Sequence, residues 1–315
     1  MRVLITGAFG YLGGRLTEGL ALNKKFSLKL GSRSNSHLLN QVGSEVVQTI
    51  WKSSSDLEKI CENVDAIVHL AGMNAEDCNN HPASALDVNG VNTAKLLSAA
   101  INKNVKRFIY ISTAHVYSSP LAGVVSEEDG LSNLHPYATS HRAGEDVVRL
   151  AHKKNKIEGI VIRLSNTFGA PVNQHVNCWM LLVNDICKQV VNDNKIVLQS
   201  DGRQQINFIT MTDACNAIEH LLLLSTSKLA DGLFNVGGKM MSVLEMALLV
   251  QARSFDIFQF QPEISYLDRR ENTSNTNFEF SSKKIISTGL SLTGNYNSEV
   301  EGTLLACKSF YGAKN

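Results

Sequence analysis

Three glycines at regular spacing follow the first apolar segment of the chain. Residues 2–6 form that segment and lead directly into Gly7, Gly10 and Gly13, after which a helical pattern begins. Glycines at a strand-to-helix turn permit a tight bend and a close approach of backbone to a pyrophosphate, and the helix N-terminus supplies N–H donors. The turn therefore predicts a dinucleotide-binding loop. Its expected contact residues are Gly7, Phe9, Gly10, Tyr11, Leu12 and Gly13.

Short apolar segments alternate with helix-length amphipathic segments over the first half of the chain. The predicted strands are 2–6, 27–30, 66–70, 107–112 and 159–164, and the predicted helices are 11–22, 56–62, 84–103 and 137–153. Each strand is nearly continuous in apolarity, as in a parallel sheet that is covered on both faces. The pattern predicts an α/β fold built on a doubly wound parallel sheet.

The alternation becomes less regular after about residue 170. A helix is predicted over 176–192, strands near 195–199 and 205–209, and a helix over 212–225. Glycine and proline at 169–171 punctuate the pattern just after a strand. We therefore expect a dinucleotide-binding domain over 1–170 and a substrate-binding lobe over 171–315, with segments near 205–238 returning to the first domain.

Charge and cysteine usage narrow the class of partner. Thirty Lys+Arg against 29 Asp+Glu give a formal net charge of +1, which argues against nucleic acid or an anionic membrane as the main partner. Six scattered cysteines without a CxxC pair fit a reducing compartment and predict no metal site. No apolar run approaches the ~18 residues of a membrane span. We expect a cytoplasmic protein that binds a small molecule.

The end of the second predicted strand bears on the choice of dinucleotide. An acidic residue at that point binds the ribose 2′-hydroxyl of NAD, whereas an arginine accommodates the 2′-phosphate of NADP. This chain has Ser32 and Arg33 there and no carboxylate. NADP is therefore the expected cofactor, with NAD possible, and the alternative is that Arg33 is a solvated loop residue.

Seven motifs stand in an order typical of one family. They are TGAFGYLG at 6–13, DAIVHLAG at 65–72, NGVNT at 89–93, ISTAHVY at 111–117, PYATSH at 136–141, RLSNTFG at 163–169 and FNVGG at 234–238. Together they resemble the extended short-chain dehydrogenase/reductase family, the NAD(P)-dependent epimerase/dehydratase group that acts mainly on nucleotide sugars. The resemblance implies a nucleotide-sugar substrate held by the C-terminal lobe, and a homodimer that pairs the helices 84–103 and 137–153.

The resemblance also implies catalytic roles for Thr113, Tyr137 and His141. Thr113 and Tyr137 match the family's catalytic Ser/Thr and tyrosine, and His141 stands where the family has a lysine. A tyrosine and its partner at i+4 share a helix face, so His141 can reach both the nicotinamide ribose and Tyr137. A neutral imidazole does not lower the pKa of a phenol as an ammonium does. With a neutral His141, Tyr137 should therefore lose less activity as a proton donor to a ketone than as a base that abstracts a proton.

We therefore expect NADPH-dependent reduction of a keto group on a nucleotide-linked sugar, with Tyr137 as the proton donor. A nucleotide-sugar 4-epimerase and a non-catalytic dinucleotide-binding protein are the alternatives. Dehydratases of the family carry an Asp-Glu pair directly after the catalytic threonine. Ala114 and His115 stand there instead, which counts against 4,6-dehydration.

The remaining site residues are assigned by their places in the family's motifs. Further cofactor contacts are expected at Leu70, Ala71, Gly72 and Asn89, besides Tyr137 and His141. Substrate contacts are expected at Met73, His115, Asn166, Arg203 and Arg270. In the stretch 202–208, which resembles the family's diphosphate clamp, Ile206 and Asn207 replace the usual Arg-Asp pair. Arg203, with Arg269 or Arg270, would then bind the diphosphate.

Overall fold

Strands and helices alternate along the chain in the computed structural model, which describes residues 1–33, 44–118, 121–266 and 278–312. The strands are β1 (Arg2–Thr6), β2 (Ser27–Ser32), β3 (Glu45–Gln48), β4 (Ala66–His69), β5 (Arg107–Thr113), β6 (Gly123–Val125), β7 (Glu158–Leu164), β8 (Asn166–Phe168), β9 (Lys195–Leu198), β10 (Gln205–Thr210), β11 (Leu233–Val236), β12 (Lys239–Ser242), β13 (Glu263–Tyr266) and β14 (Phe278–Phe280). The helices are α1 (Tyr11–Leu22), α2 (Ser54–Cys61), α3 (Ala75–Asn80), α4 (Pro82–Ala85), α5 (Asn92–Asn102), α6 (Pro136–Lys153), α7 (Leu182–Asp193), α8 (Met211–Leu223), α9 (Val243–Phe258), α10 (Lys283–Ser287) and α11 (Tyr296–Tyr311).

A seven-stranded parallel sheet in the order β11-β7-β5-β4-β1-β2-β3 forms the centre of the fold. Helices cover both of its faces. Ile5 packs with Leu16 of α1 on one face of the sheet. The neighbouring residue, Leu4, lies on the opposite face and packs with Leu57 of α2 and Leu96 of α5. Because both faces are covered, the central strands need continuous apolarity. The doubly wound sheet predicted from the sequence is confirmed.

The sheet winds outward in both directions from β1, which lies between β2 and β4. In open parallel sheets, ligands bind in the crevice at the carboxyl ends of the strands where the winding reverses. In this chain that crevice lies at the carboxyl ends of β1 and β4. The topology therefore places the glycine turn, which follows β1, at the edge of the sheet where a ligand is expected.

The helix predicted over 84–103 is interrupted by a π-helical turn over Leu86–Val91. The physical reason lies in the packing against α6. A side chain on Gly90 would come within 3.2 Å of the Cβ of Ala143, and Asn89 is itself buried. The wider turn brings Asn89 and Gly90 against α6, and π-helical turns of this kind occur frequently at functional sites.

The C-terminal part of the chain forms a second core around α7, α9 and α11. Phe168, Phe208 and Tyr296 contribute to that core, together with apolar residues of the three helices. Smaller sheets accompany it: β12-β10-β8, β13-β9 and β14-β6. The chain also returns to the central sheet and its helices, since β11 pairs with β7 and α8 packs on α1. Within the described ranges, no helix has the length and apolarity needed to cross a bilayer.

Candidate active site

The glycine turn is packed tightly against its own backbone and against the end of β4. Gly7 has a φ of +74°, which favours glycine, and its carbonyl accepts a hydrogen bond from the Gly10 amide at 2.9 Å. A Cβ on Gly7 would lie 2.8 Å from the Ala71 nitrogen, and one on Gly13 would overlap the Gly7 carbonyl oxygen. These two positions therefore have no space for a side chain.

Gly10 lies in a more open environment than Gly7 and Gly13. Its surroundings show whether the turn has room for a dinucleotide. It is the N-cap of α1, and no side chain caps that helix end. A Cβ on Gly10 would contact only the Gly7 oxygen, at 3.2 Å. The first-turn N–H groups of α1 thus lack a side-chain acceptor, and such groups favour an anion. The turn fits the pyrophosphate of a dinucleotide.

The other residues of the turn contribute their side chains to the fold. Phe9 and Leu12 are partly buried against the core beside β1. The Tyr11 hydroxyl donates a hydrogen bond to the Gly169 carbonyl at 2.7 Å and lies 3.1 Å from the Asn184 Oδ1 atom of α7. The backbone of Phe9, Tyr11 and Leu12, and not their side chains, is therefore available to a bound dinucleotide.

The end of β2 lies beside the glycine turn in the sheet. Ser32 is buried there, and its carbonyl accepts a hydrogen bond from the Thr49 amide at 2.7 Å. Arg33, the next residue, is exposed. Residues 34–43 lie outside the described residues.

Asn89 braces the segment that follows β4. Its Oδ1 atom accepts a hydrogen bond from the Met73 amide at 2.9 Å, and its Nδ2 atom donates to the Ser140 hydroxyl of α6 at 3.0 Å. A Cβ on Gly72 would lie 3.2 Å from the same Oδ1 atom. Asn89 was predicted to contact the cofactor, and the structure places its side chain beneath residues 70–73, where it holds that edge of the site.

The three predicted catalytic residues lie together. Thr113 ends β5, Tyr137 lies in the first turn of α6, and His141 follows one turn later. The Thr113 side chain lies beside the Tyr137 phenol and lowers its pKa, and the Thr113 hydroxyl accepts a hydrogen bond from the His115 amide at 3.1 Å. The Tyr137 ring centroid lies 4.6 Å from that of His141, with the rings edge to face.

Burial determines the charge state of this cluster. Burial raises the pKa of Tyr137 above its usual value, and the Thr113 side chain opposes that change only in part. Burial also lowers the pKa of His141 to about 4. At neutral pH the site therefore contains a protonated phenol beside a neutral imidazole.

Two of the predicted substrate residues border the same cluster. His115 lies on the short helical turn after Thr113, and its ring centroid is 6.3 Å from that of Tyr137. The Asn166 side chain lies beside that of His115, and its Nδ2 atom donates to the Asn207 carbonyl at 3.2 Å. The structure thus connects Tyr137, through His115, to the start of β8.

The predicted diphosphate contacts come from the C-terminal part of the chain. Arg203 is exposed on the loop between β9 and β10, 3.8 Å from the Asp201 carboxylate. Arg269 and Arg270 lie outside the described residues. Over the described part of the chain, no group of three or more His, Cys, Asp or Glu side chains is arranged to bind a metal ion.

A buried ion pair fixes α6 on the sheet beneath this cluster. The Arg163 guanidinium of β7 donates to the Glu145 carboxylate at 2.7 Å, and the Ser112 hydroxyl donates to the same carboxylate. Arg163 also donates to the Tyr117 hydroxyl at 2.8 Å. Removing either charge of such a pair leaves the other buried without compensation, so the pair holds α6 in place.

Sequence reasoning missed Tyr110, which belongs to this cluster. It is 2% exposed on β5, and its hydroxyl lies 3.0 Å from the Nδ1 atom of His141. A signal for it exists in the sequence, because a tyrosine within a continuously buried strand needs a partner for its hydroxyl. The partner itself is 31 residues away and only the fold reveals it.

Comparisons with known proteins agree with this geometry. The model of the NAD dependent epimerase/dehydratase family matches residues 3–237. The uncharacterized UDP-glucose epimerase YtcB of Bacillus subtilis is 27% identical over 270 residues, 80% of this chain and 81% of the relative. The human dTDP-D-glucose 4,6-dehydratase is 27% identical over 263 residues, 78% of this chain and 72% of the relative.

Solved structures show the same fold. The UDP-glucuronic acid 4-epimerase of Bacillus cereus in complex with NAD superposes with a TM-score of 0.82. The two sequences are 20% identical, and the match covers 99% of this chain and 97% of that one. At this identity the likeness concerns the fold.

Proposed function

The chain belongs to the NAD dependent epimerase/dehydratase family, and on that basis we propose that it is an NAD(P)-dependent epimerase that inverts a hydroxyl-bearing carbon of a nucleotide-linked sugar. The observation that carries the proposal is the pair Thr113–Tyr137, whose side chains lie beside each other and beside His141 at the carboxyl edge of the sheet. That pair provides one proton-transfer group and one group to hold the reacting oxygen, as epimerisation through a ketone requires.

Epimerisation is preferred over the other chemistries for two reasons. A named UDP-glucose epimerase among the relatives supports it better than the net reduction that the sequence predicted. Dehydration needs a further acid and base next to the reacting carbons. At the two positions after Thr113 the chain offers only Ala114 and His115.

The chain's own residues would act as follows. Tyr137 takes the proton of the sugar hydroxyl when the carbon is oxidised and returns it when the ketone is reduced. Thr113 donates a hydrogen bond to the same oxygen. His115 and Asn166 border the sugar. The chemistry that a bound nicotinamide supplies is reversible hydride transfer.

The cofactor would be held mainly by backbone. The N–H groups of residues 10–13 bind the pyrophosphate, residues 70–72 line the crevice, and His141 binds the nicotinamide ribose. We retain the proposal that Arg33 binds a 2′-phosphate, so that NADP is preferred over NAD. Arg203, with Arg270, would bind the diphosphate of the substrate.

Net reduction of a keto-sugar is a second candidate, because one specific observation favours it. Tyr137 is a protonated phenol at neutral pH and His141 is neutral, so the site is better prepared to donate a proton than to accept one. Epimerisation requires both directions and reduction requires only donation.

The two candidates are distinguished by incubating the protein with UDP-glucose or dTDP-glucose, or with their 4-keto derivatives, and deuterated NADPH or NADH. Epimerisation interconverts two sugars without net consumption of the cofactor and without label in the product. Reduction consumes the cofactor and places deuterium on the sugar. Binding of the dinucleotide without either reaction would contradict both and favour a non-catalytic binding protein.

We also propose a homodimer in which α5 and α6 pair with their counterparts in a second copy. Val91, directly before α5, is 44% exposed, and Leu150 of α6 is 51% exposed. Apolar side chains of this size on adjacent helices favour an isologous contact. Light scattering should give twice the mass of one chain, and a monomer mass at working concentrations would contradict the proposal.

A further inference from the structure

The two ring nitrogens of His141 lie in different environments. Nδ1 points into the interior, 3.0 Å from the Tyr110 hydroxyl. Nε2 has no hydrogen-bond partner among the residues that the structure describes, and the ring lies edge to face against Tyr137. The residue is 7% exposed. Nε2 is therefore the nitrogen available to a ligand, and its function depends on whether it carries the ring proton.

The position of the Tyr110 hydroxyl is fixed by α6 itself. A Cβ on Gly144, three residues after His141, would lie 2.5 Å from that hydroxyl and 2.7 Å from the Asn89 carbonyl. Any side chain at residue 144 would displace the hydroxyl from Nδ1. The glycine thus allows α6 to approach β5 closely enough for the contact between Tyr110 and His141.

The shorter of two distances favours Tyr110 as the donor in this contact. The Asn89 carbonyl accepts a hydrogen bond from the Thr93 hydroxyl at 2.6 Å and a longer one from the Tyr110 hydroxyl at 3.3 Å. Tyr110 has a single O–H, and Nδ1 of His141 is its nearer acceptor, at 3.0 Å. When Tyr110 donates to Nδ1, a neutral His141 carries its proton on Nε2.

The neighbouring histidine supports this assignment. The Thr93 proton is used on the Asn89 carbonyl, so the Thr93 oxygen must accept from His69, whose Nε2 atom lies 3.0 Å away. The Nδ1 atom of His69 then accepts from the Thr6 hydroxyl at 2.6 Å. One proton for each partner thus satisfies the hydrogen bonds of Thr93 with Asn89 and His69.

We propose that Tyr110 is a positioning residue that holds His141 in the Nε2–H form, so that a neutral histidine presents an N–H donor where the family has a lysine. The donor would bind a hydroxyl oxygen, as on a ribose. This inference rests on the proposed function for the identity of the ligand, but the tautomer itself does not depend on that function.

The first test is nitrogen NMR of the protein labelled with ¹⁵N-histidine, with the His141 signals identified by their absence in His141→Gln. The expected result is the Nε2–H form in the native protein and its loss or mixture with the Nδ1–H form in Tyr110→Phe. Tyr117→Phe is the matched control, because it also removes a buried hydroxyl, one that donates to the Asn235 Oδ1 atom and accepts from Arg163, both at 2.8 Å. It should leave His141 unchanged.

An Nδ1–H form in the native protein would overturn the proposal, and that measurement needs no variant at position 110. An unchanged Nε2–H form in Tyr110→Phe would also overturn it. Neither result depends on whether the protein epimerises a sugar, so the proposal and the proposed function fail separately.

The second test is a double-mutant cycle on dinucleotide affinity, measured by fluorescence titration. Tyr110→Phe should weaken binding about fivefold in the native background, the size of one ordinary hydrogen bond. In the His141→Lys background it should change affinity less than about twofold, because an ammonium is a donor in every orientation. Equal losses in both backgrounds would mean that Tyr110 acts only through packing, which would overturn the proposal.

Discussion

The glycine turn and the first two turns of α6 lie at the same edge of the sheet, but they depend on the sequence in different ways. The glycine turn is made of backbone, and Gly7 and Gly13 are required because no side chain fits there. The start of α6 presents side chains, and the rings of Tyr137 and His141 lie edge to face there. We therefore expect the backbone site to determine the class of ligand and the side chain at position 141 to influence the direction of the chemistry.

The most severe test of the backbone site is Gly13→Ala. Because its Cβ would overlap the Gly7 carbonyl oxygen, we expect the turn to be displaced and dinucleotide binding to be lost, with destabilisation of about 1–3 kcal/mol from overpacking. Titration with NADPH and urea unfolding measure the two effects. Gly19→Ala is the control, since nothing lies within 4 Å of a Cβ on this glycine of α1. Gly19→Ala should bind NADPH normally. Normal NADPH binding by Gly13→Ala would show that the turn tolerates a side chain, against this expectation.

The corresponding test of the side-chain site is Tyr137→Phe. Removing the phenol hydroxyl should lower turnover by about 10²–10⁴-fold, the usual contribution of a proton-transfer group. Dinucleotide affinity should remain within about twofold, because the phenol is assigned to proton transfer and not to cofactor binding. A variant that keeps more than a tenth of its activity would show that another group transfers the proton.

His141→Lys tests whether one side chain changes the pKa of Tyr137. A cation beside Tyr137 lowers the pKa of the phenol, which burial raises in the native protein. The oxidative direction needs phenolate, so its rate should rise at lower pH in the variant, by about tenfold near neutral pH for each unit by which the pKa falls. The reductive direction needs phenol and should decline above the new pKa. Profiles of both directions that coincide with those of the native protein would contradict this account.

The smallest expected effect concerns the exposed end of β2. Arg33→Ala should weaken NADPH binding about fivefold to tenfold and leave NADH binding unchanged, as expected for loss of one charge-assisted hydrogen bond to a phosphate. Fluorescence titration with both dinucleotides measures this. If the native protein binds NADH as tightly as NADPH and the variant does not alter the ratio, Arg33 has no role in selecting the cofactor.

The sequence allowed the central strands and the glycine turn to be predicted because local patterns determine them. β1, β4, β5 and β7 are apolar over most of their length, and each was predicted to within two residues of its observed bounds. β3, at Glu45–Gln48, was missed, since this edge strand is mostly exposed and lacks that pattern. The predicted helix 176–192 begins only at Leu182.

The rest of the site depends on contacts between distant parts of the chain. The π-helical turn at Leu86–Val91 results from packing on α6, and the segment itself contains no signal for it. The Tyr110–His141 contact requires both the sheet and α6, with Gly144 between them. A departure from a motif, such as histidine at position 141, can be recognised in the sequence, but its compensation is visible only in three dimensions.

The buried pair of Arg163 and Glu145 also limits how this enzyme can change over time. A substitution of either residue alone leaves an unpaired buried charge and costs about 3–5 kcal/mol, a large fraction of the stability of a typical domain. Variants that replace the pair must therefore change both residues together. The two residues that fix α6 on the sheet are in this way inherited as a unit, while His141, one turn before Glu145, is not part of that ion pair. A lineage can alter its acid–base chemistry on this helix without moving the helix.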